Sequence, residues 1–170
     1  MPDSKRFGWF TRQILNGLGF LICIMGLGVA YYAQFVLDLE PCPLCIVQRL
    51  ILAVVGLVFL LAAIHDPRGW GAKIYSVLLG LTAAIGAGIA ARHVWIQHLP
   101  PDQAPGCGPG LAYMLETFPL SETIQAVLTG SGECAEVAWR FIGLSIPEWT
   151  LLLFLVLGIV GVLGNWRLQK

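Results

Sequence analysis

Residues 40–61, EPCPLCIVQRLILAVVGLVFLL, decide the fold, because a closely spaced cysteine pair is followed at once by a long apolar run. Cys42 and Cys45 lie three positions apart at the start of the run, and Arg49 is the single charged residue within it. A helix needs roughly 20 apolar residues to cross the hydrocarbon core of a membrane. The stretch therefore predicts a membrane-spanning helix with two thiols and one cation near its first turns.

The rest of the chain has the composition of a membrane protein. Of its 170 residues, 57% are hydrophobic and 12% are charged, against roughly 25% charged in soluble domains. Four apolar stretches predict spans at about 14–36, 46–64, 74–91 and 149–164. The first is too long for the apolar core of a secretory signal, so we expect it to be retained. The predicted fold is an all-α membrane protein, one domain over residues 1–170, in which four helices form a bundle with a long loop between the third and fourth.

The distribution of charge predicts the orientation. Most lysines and arginines fall in the termini and in the turn between the second and third spans, namely Lys5, Arg6, Arg12, Arg68, Lys73, Arg167 and Lys170. By the positive-inside rule we expect both termini in the cytoplasm. The loops at about 37–45 and 92–148 are then periplasmic if the host is a bacterium and the membrane its inner membrane. No basic stripe is present that would neutralise phosphates, so a nucleic-acid partner is not expected.

The long loop and the spans contain further local signals. In SETIQAVL, Ser121 is predicted to be the N-cap of a short helix on the membrane surface, with Ile124, Val127 and Leu128 on one face. Small residues recur in the first and third spans, as GLGFLICIMGLG and GLTAAIGAGIAA, and predict close helix packing. Cys23, in the middle of the first span, is expected to behave as a small hydrophobic residue.

The C-x-x-C pair of Cys42 and Cys45 has three interpretations: a redox disulfide, half of a zinc site, or coincidence. Pro43 fits the first turn of the second helix, so Cys45 is expected near free backbone N–H groups that favour a thiolate. Arg49 follows Cys45 by one helical turn. This arginine is costly at the edge of the hydrocarbon region unless it is satisfied. It either reaches the headgroups or stabilises negative charge on a bound group beside Cys45, for which a reduced quinone oxygen is the obvious candidate.

Cys107 and Cys134 lie in the long loop among glycines, which indicates accessible backbone. They form a structural disulfide, belong to a zinc site with the first pair, or exchange electrons with it. A zinc site would normally have a second closely spaced pair, so no metal is expected. His93 and His98 fall near the external end of the third span. Each is either solvated at the interface or positioned to hydrogen-bond a quinone carbonyl.

Taken together, these residues resemble the bacterial disulfide bond formation protein B (DsbB) family, inner-membrane oxidases that recharge periplasmic DsbA. The resemblance covers essentially the whole chain. It rests on the four spans, on PCPLCIVQR at the head of the second, on the loop cysteine in APGCGPG, and on SGECAEVAWRFIGLSIPEW leading into the fourth. It implies a quinone-dependent enzyme that generates disulfides.

The resemblance also implies a mechanism. A reduced DsbA-like, thioredoxin-fold partner would attack a Cys107–Cys134 disulfide, most directly at Cys107. The loop pair would pass electrons to the Cys42–Cys45 disulfide, and Cys45 would deliver them to ubiquinone from the membrane pool, or to menaquinone without oxygen. Arg49 and His93 would bind the quinone, with His98 as the alternative histidine.

Two other classes of protein have some of these features. A quinone reductase of the vitamin K epoxide reductase type also has a C-x-x-C at the membrane edge, but there the loop pair is expected before the C-x-x-C, and here the order is reversed. A structural membrane protein with a disulfide-stapled loop would account for the cysteines, but it leaves Arg49 unexplained.

Overall fold

The computed structural model describes residues 4–100, 103, 105–106, 111–137 and 139–167. The elements in chain order are α1 (Ser4–Phe35), α2 (Pro43–His65), α3 (Trp70–Gln97), α4 (Leu111–Thr117), α5 (Leu120–Thr129), α6 (Gly132–Ala135), β1 (Arg140–Phe141), β2 (Leu144–Ser145) and α7 (Ile146–Arg167). Four of the helices, α1, α2, α3 and α7, contain stretches long and apolar enough to cross a membrane. The predicted all-α multi-pass bundle with a long loop between its third and fourth spans is confirmed.

The helices are longer than the predicted apolar spans, because polar residues at their ends are also helical. α3 begins at Trp70 and continues to Gln97, so it includes His93. α2 ends at His65, and its C-cap residue Asp66 has φ +41° and donates its N–H to the carbonyl of Ala62. Left-handed backbone of this kind commonly ends a helix, and Pro67 prevents its continuation.

The helices pack closely because small residues lie where they meet. α3 packs against α7, and α2 packs against both α1 and α3. A Cβ atom at Gly86 would lie 2.5 Å from the Phe154 ring, and one at Gly19 would lie 2.7 Å from the Phe59 ring. The prediction of close packing through small residues is confirmed. The central core is apolar, and its buried members are Cys23, Leu52, Val55, Phe59, Leu79, Ala87, Ala90, Phe154 and Leu157.

Polar contacts join three helices at one end of the bundle. Arg12 of α1 forms a buried 2.6 Å ion pair with Asp66, in the turn after α2. Asn16 and Asn165 donate to each other across α1 and α7, at 3.1 and 3.0 Å. We call this the basic end. The opposite end contains the α1–α2 turn, the end of α3 and the start of α7, and we call it the cysteine end.

The loop between α3 and α7 is folded against the cysteine end. The strands β1 and β2 form a hairpin in which Arg140 pairs with Ser145 and Phe141 with Leu144. The indole N–H of Trp149 donates to the carbonyl of Phe141 and ties the hairpin to α7. This hairpin was not predicted from the sequence.

The structure corrects the prediction for the short loop helix. α5 begins at Leu120, and its N-cap is Pro119 rather than Ser121, because the Pro119 carbonyl accepts the N–H groups of Glu122 and Thr123. Of the predicted apolar face, Val127 is buried, whereas the side chains of Ile124 and Leu128 are exposed.

Candidate functional site

The thiol pair lies at the first turn of α2. Cys42 is the N-cap residue and Pro43 is the first helical residue, so the predicted place of Pro43 in the first turn is confirmed. The two sulfur atoms are 3.1 Å apart, in contact but beyond the roughly 2.05 Å of a disulfide bond. The N–H of Cys45 donates to Sγ of Cys42 at 3.4 Å. A backbone N–H of the first turn of α2 is therefore directed at the sulfur of Cys42. The reactive Cys45 thiolate that the sequence predicts stays a prediction.

Cys134 packs against this pair from the loop. It lies in α6, its side chain is 0% exposed, and it belongs to an apolar cluster with Cys42, Leu44 and Ile96. The neighbouring Cys42 thiol, together with burial, raises the pKa of Cys134. Cys134 is therefore held as a neutral thiol beside Cys42.

Two contacts hold the Cys134 segment on α3. Gly130 has φ +87°, and a Cβ atom there would lie 2.5 Å from Cδ1 of Ile96. Arg92 donates to the carbonyls of Leu128 and Thr129 at 3.5 and 3.3 Å, at the C-terminal end of α5. A cation at this end of a helix is favoured by the helix dipole. The end of α3 therefore sets the position of α6 and its cysteine.

Cys107, the predicted partner of Cys134, lies outside the described residues. Its neighbour Gly106 is described, and the Gly106 carbonyl accepts the N–H of Gly132 at 3.0 Å. The Cys107–Cys134 pairing stays a prediction.

The structure brings His93 to the thiol pair. His93 is 2% exposed, and its Nε2 lies 3.7 Å from Sγ of Cys42. Its Nδ1 lies 3.1 Å from Nε2 of Gln48, on α2. His98 is exposed and its Nδ1 contacts the carbonyl of Val94 instead. Of the two candidate histidines, His93 is thus the one in contact with a cysteine.

The Arg49 side chain contacts α1, whereas the His93 side chain contacts α2. Its guanidinium donates to the side-chain oxygen of Gln34 and, at 3.0 Å, to the carbonyl of Ala30, and it lies 5.3 Å from the centre of the Tyr31 ring. These partners all belong to α1, whereas those of His93 belong to α2. The predicted quinone contacts Arg49 and His93 are therefore directed to different sides of α2. The role of each stays a prediction.

Two glutamines of the site were missed in the sequence. Gln34 and Gln48 each fall in a span, and a polar side chain in an apolar stretch is a signal of a buried partner. The identity of that partner depends on another helix in each case, so the signal alone does not name it.

Three possible metal ligands meet at the cysteine end. The ligand atoms of Cys42, Cys45 and His93 lie within 4.8 Å of one another, a soft donor set that suits zinc. Closed structural zinc sites have four protein ligands, whereas this group supplies three among the described residues. The expectation that the site holds no metal stays a prediction.

The fold and the site together define a multi-pass membrane oxidoreductase of disulfide formation. The family model described as Disulfide bond formation protein DsbB matches residues 12–164. Disulfide bond formation protein B of Nitrosococcus oceani is 55% identical over 153 residues, which cover 90% of this chain and 89% of the relative. The proteins of the same name from Hahella chejuensis and Methylococcus capsulatus are 52% and 51% identical, over 86% and 90% of this chain and 89% and 93% of theirs. This chain belongs to the DsbB family.

Proposed function

We propose that this protein is a thiol:quinone oxidoreductase of the bacterial inner membrane that reoxidises a periplasmic, DsbA-like dithiol protein. Both termini are cytoplasmic in this proposal, and the cysteine end faces the periplasm. The observation that carries the proposal is the packing of Cys134 against Cys42, because it supports direct exchange between a loop cysteine and the C-x-x-C pair.

The relay begins at the loop pair. A thiolate of the reduced partner attacks Cys107 of the Cys107–Cys134 disulfide, forms a mixed disulfide and releases Cys134 as the leaving group. The second thiol of the partner then displaces Cys107, which leaves the partner oxidised and the loop pair reduced. An open cavity of about 360 Å³ beside Pro43 and Ser131, the neighbours of Cys42 and of α6, gives room for approach to this region.

Electrons then pass to the membrane-edge pair. Cys134, released as a thiolate when the partner attacks Cys107, attacks Cys42 of the Cys42–Cys45 disulfide and releases Cys45 as a thiolate. Cys107 next attacks Cys134, restores the loop disulfide and releases Cys42. The net result is two-electron transfer from the loop dithiol to the Cys42–Cys45 pair, with every bond that breaks replaced by a new one.

The terminal oxidant would be a quinone, which when bound could take two electrons and two protons from the Cys42–Cys45 dithiol. Arg49 is the residue that we expect to hold it, on the α1 side of Cys45, with ubiquinone as the expected form and menaquinone in the absence of oxygen. A strong oxidant is required because DsbA lies near about −120 mV, far above ordinary protein dithiols.

The test is quinone reduction by the purified protein in detergent, with a reduced DsbA-like protein as donor. Cys45→Ser and Cys107→Ser should each abolish turnover, whereas Cys23→Ser, a change at a core cysteine, should retain it. Cys107→Ser should still pass electrons from a small dithiol to quinone, since the loop pair lies upstream. Full turnover in both variants would mean that these cysteines are structural.

A further inference from the structure

His93 has a hydrogen-bond partner for each ring nitrogen. Nε2 faces Sγ of Cys42 at 3.7 Å, and Nδ1 faces the side-chain amide of Gln48 at 3.1 Å. All three side chains are buried, with Cys42 7%, Gln48 4% and His93 2% exposed. Buried polar groups require partners, and here Gln48 fixes the imidazole ring so that its other nitrogen is directed at the sulfur.

A glutamine in this position can satisfy both neutral forms of the histidine. When its NH₂ group donates to Nδ1, the histidine proton lies on Nε2 and points at the sulfur. When the amide is turned over, its oxygen accepts a proton from Nδ1, and Nε2 offers a lone pair to the Cys42 S–H. His93 can therefore accept a proton from Cys42, with Gln48 turning its amide, without leaving a buried polar group unpaired.

We propose that His93 accepts the proton of the Cys42 thiol when the Cys42–Cys45 disulfide is regenerated, and that Gln48 is the residue that positions it. This inference rests on the proposed function. Regeneration removes two protons and two electrons from the dithiol, and quinone is the oxidant. The proton of Cys42 moves to Nε2 and that of Cys45 moves to water. The Cys42 sulfur forms a bond to Sγ of Cys45, and the two electrons pass through Cys45 to the quinone. Two protons, one from His93 and one from water, convert the reduced quinone to quinol.

The role differs from the predicted contact between His93 and quinone, and kinetics separate the two. A residue that accepts a proton from Cys42 affects the maximal rate, whereas a residue that only binds quinone affects the concentration at half-saturation. We would pre-reduce the protein with a small dithiol, mix it with a short-chain ubiquinone analogue and follow quinone absorbance in a single turnover.

His93→Phe should lower the maximal rate by about 10²-fold, the usual effect of losing a general base, with little change in half-saturation. His65→Phe is the matched control, because it makes the same change at an exposed histidine of the basic end. Unchanged maximal rate with a raised half-saturation would overturn the proposal and assign His93 to the quinone. If wild type itself reduces no quinone, the proposed function fails instead.

The Gln48 variants test positioning without removing the histidine. Gln48→Met keeps the size but has no hydrogen-bonding group at Nδ1, and should slow the reaction about tenfold. Gln48→Glu can accept from Nδ1–H and should retain most of the rate, since it leaves Nε2 free to act as a base. A purely structural role predicts the reverse order, because Met is the better tolerated side chain in an apolar core.

Two readouts do not depend on quinone. ¹⁵N spectra of labelled histidine should show the His93 proton shifted to Nδ1 in Gln48→Glu relative to wild type. In a Cys45→Ser background, His93→Phe should slow alkylation of Cys42 by iodoacetamide about tenfold, as read by peptide mass spectrometry. Equal alkylation rates with and without His93 would refute the proton transfer even in a protein without quinone activity.

Discussion

The backbone N–H of Gly132 donates a hydrogen bond to the carbonyl oxygen of Gly106 at 3.0 Å. Gly106 directly precedes Cys107 in the sequence, and Gly132 lies two residues before Cys134. The neighbours of two distant cysteines are thus in contact, which is a precondition for a disulfide because its Cα atoms must lie within about 7 Å.

This contact predicts the disulfide pattern of the isolated, oxidised protein. Peptide mapping should find Cys107 linked to Cys134 and Cys42 linked to Cys45. In Cys107→Ser, Cys134 should instead be found linked to Cys42, since these two side chains already pack together. Recovery of Cys134 as an unmodified thiol in that variant would contradict the exchange step.

The close packing of Gly130 predicts that one added methyl group at this position destabilises the docked loop. Gly130→Ala places a side chain at φ +87° and against Ile96, and should destabilise the docked loop by about 1–3 kcal/mol. The expected result is faster proteolysis of the loop and slower formation of the Cys42–Cys134 bond. Gly28→Ala is the control, because nothing lies within 4 Å of its Cβ position. Equal behaviour of both variants would show that Gly130 does not set the loop position.

Arg49→Ala should raise the quinone KM more than it alters the Kd for the protein partner, because the guanidinium lies at the α1–α2 contact and not in the loop. Gln34→Met separates the two effects of this change, since it removes one contact of Arg49 but keeps the cation. It should raise the quinone KM less than Arg49→Ala does. An unchanged quinone KM in Arg49→Ala would contradict the proposed role of Arg49 in holding the quinone.

The raised pKa of Cys134 predicts a pH dependence. In the fully reduced protein, Cys134 should stay protonated at neutral pH, and its alkylation should accelerate only above the ordinary thiol range of about 8.5. Because the folded state holds this proton more tightly than the unfolded state, its contribution to stability is present at low pH and is lost as pH rises beyond that range. Alkylation rates from pH 7 to 10, with the denatured protein as control, check both points. An ordinary titration of Cys134 in the folded protein would contradict them.

The asparagine pair at the basic end predicts a coupling energy between α1 and α7. Asn16→Leu leaves Asn165 with only its bond to the Gly161 carbonyl, and each single variant should be destabilised by about 1–2 kcal/mol. The double variant should lose less than the sum of the single losses, since neither amide is then left without a partner. Additive losses, measured by unfolding in detergent, would show that the two amides act independently.

The sequence predicts the spanning helices well, because the length of an apolar run in a membrane is set by the bilayer. It also predicts the place of Pro43, because a residue without an N–H fits the first turn of a helix. The contact of Cys134 with Cys42 could not be predicted, since it depends on how Gly130 packs against Ile96 on a distant helix. The predicted N-cap of α5 was wrong, because the helix begins at Leu120 and its N-cap is Pro119 rather than Ser121. The roles of the cysteines, Arg49 and His93 stay proposals, because the fold brings the side chains together and the redox chemistry has to be measured.

The apolar core between the two ends of the bundle has a bioenergetic consequence. Within the described residues, Phe59, Leu79, Phe154 and Leu157 fill the middle of the bundle, and a packed layer of this kind conducts neither protons nor ions. In the proposed function, protons released at the cysteines would leave on the side where they are produced. Turnover would then be electrically silent across the bilayer, because electrons would leave in the plane of the lipid and no charge would cross it.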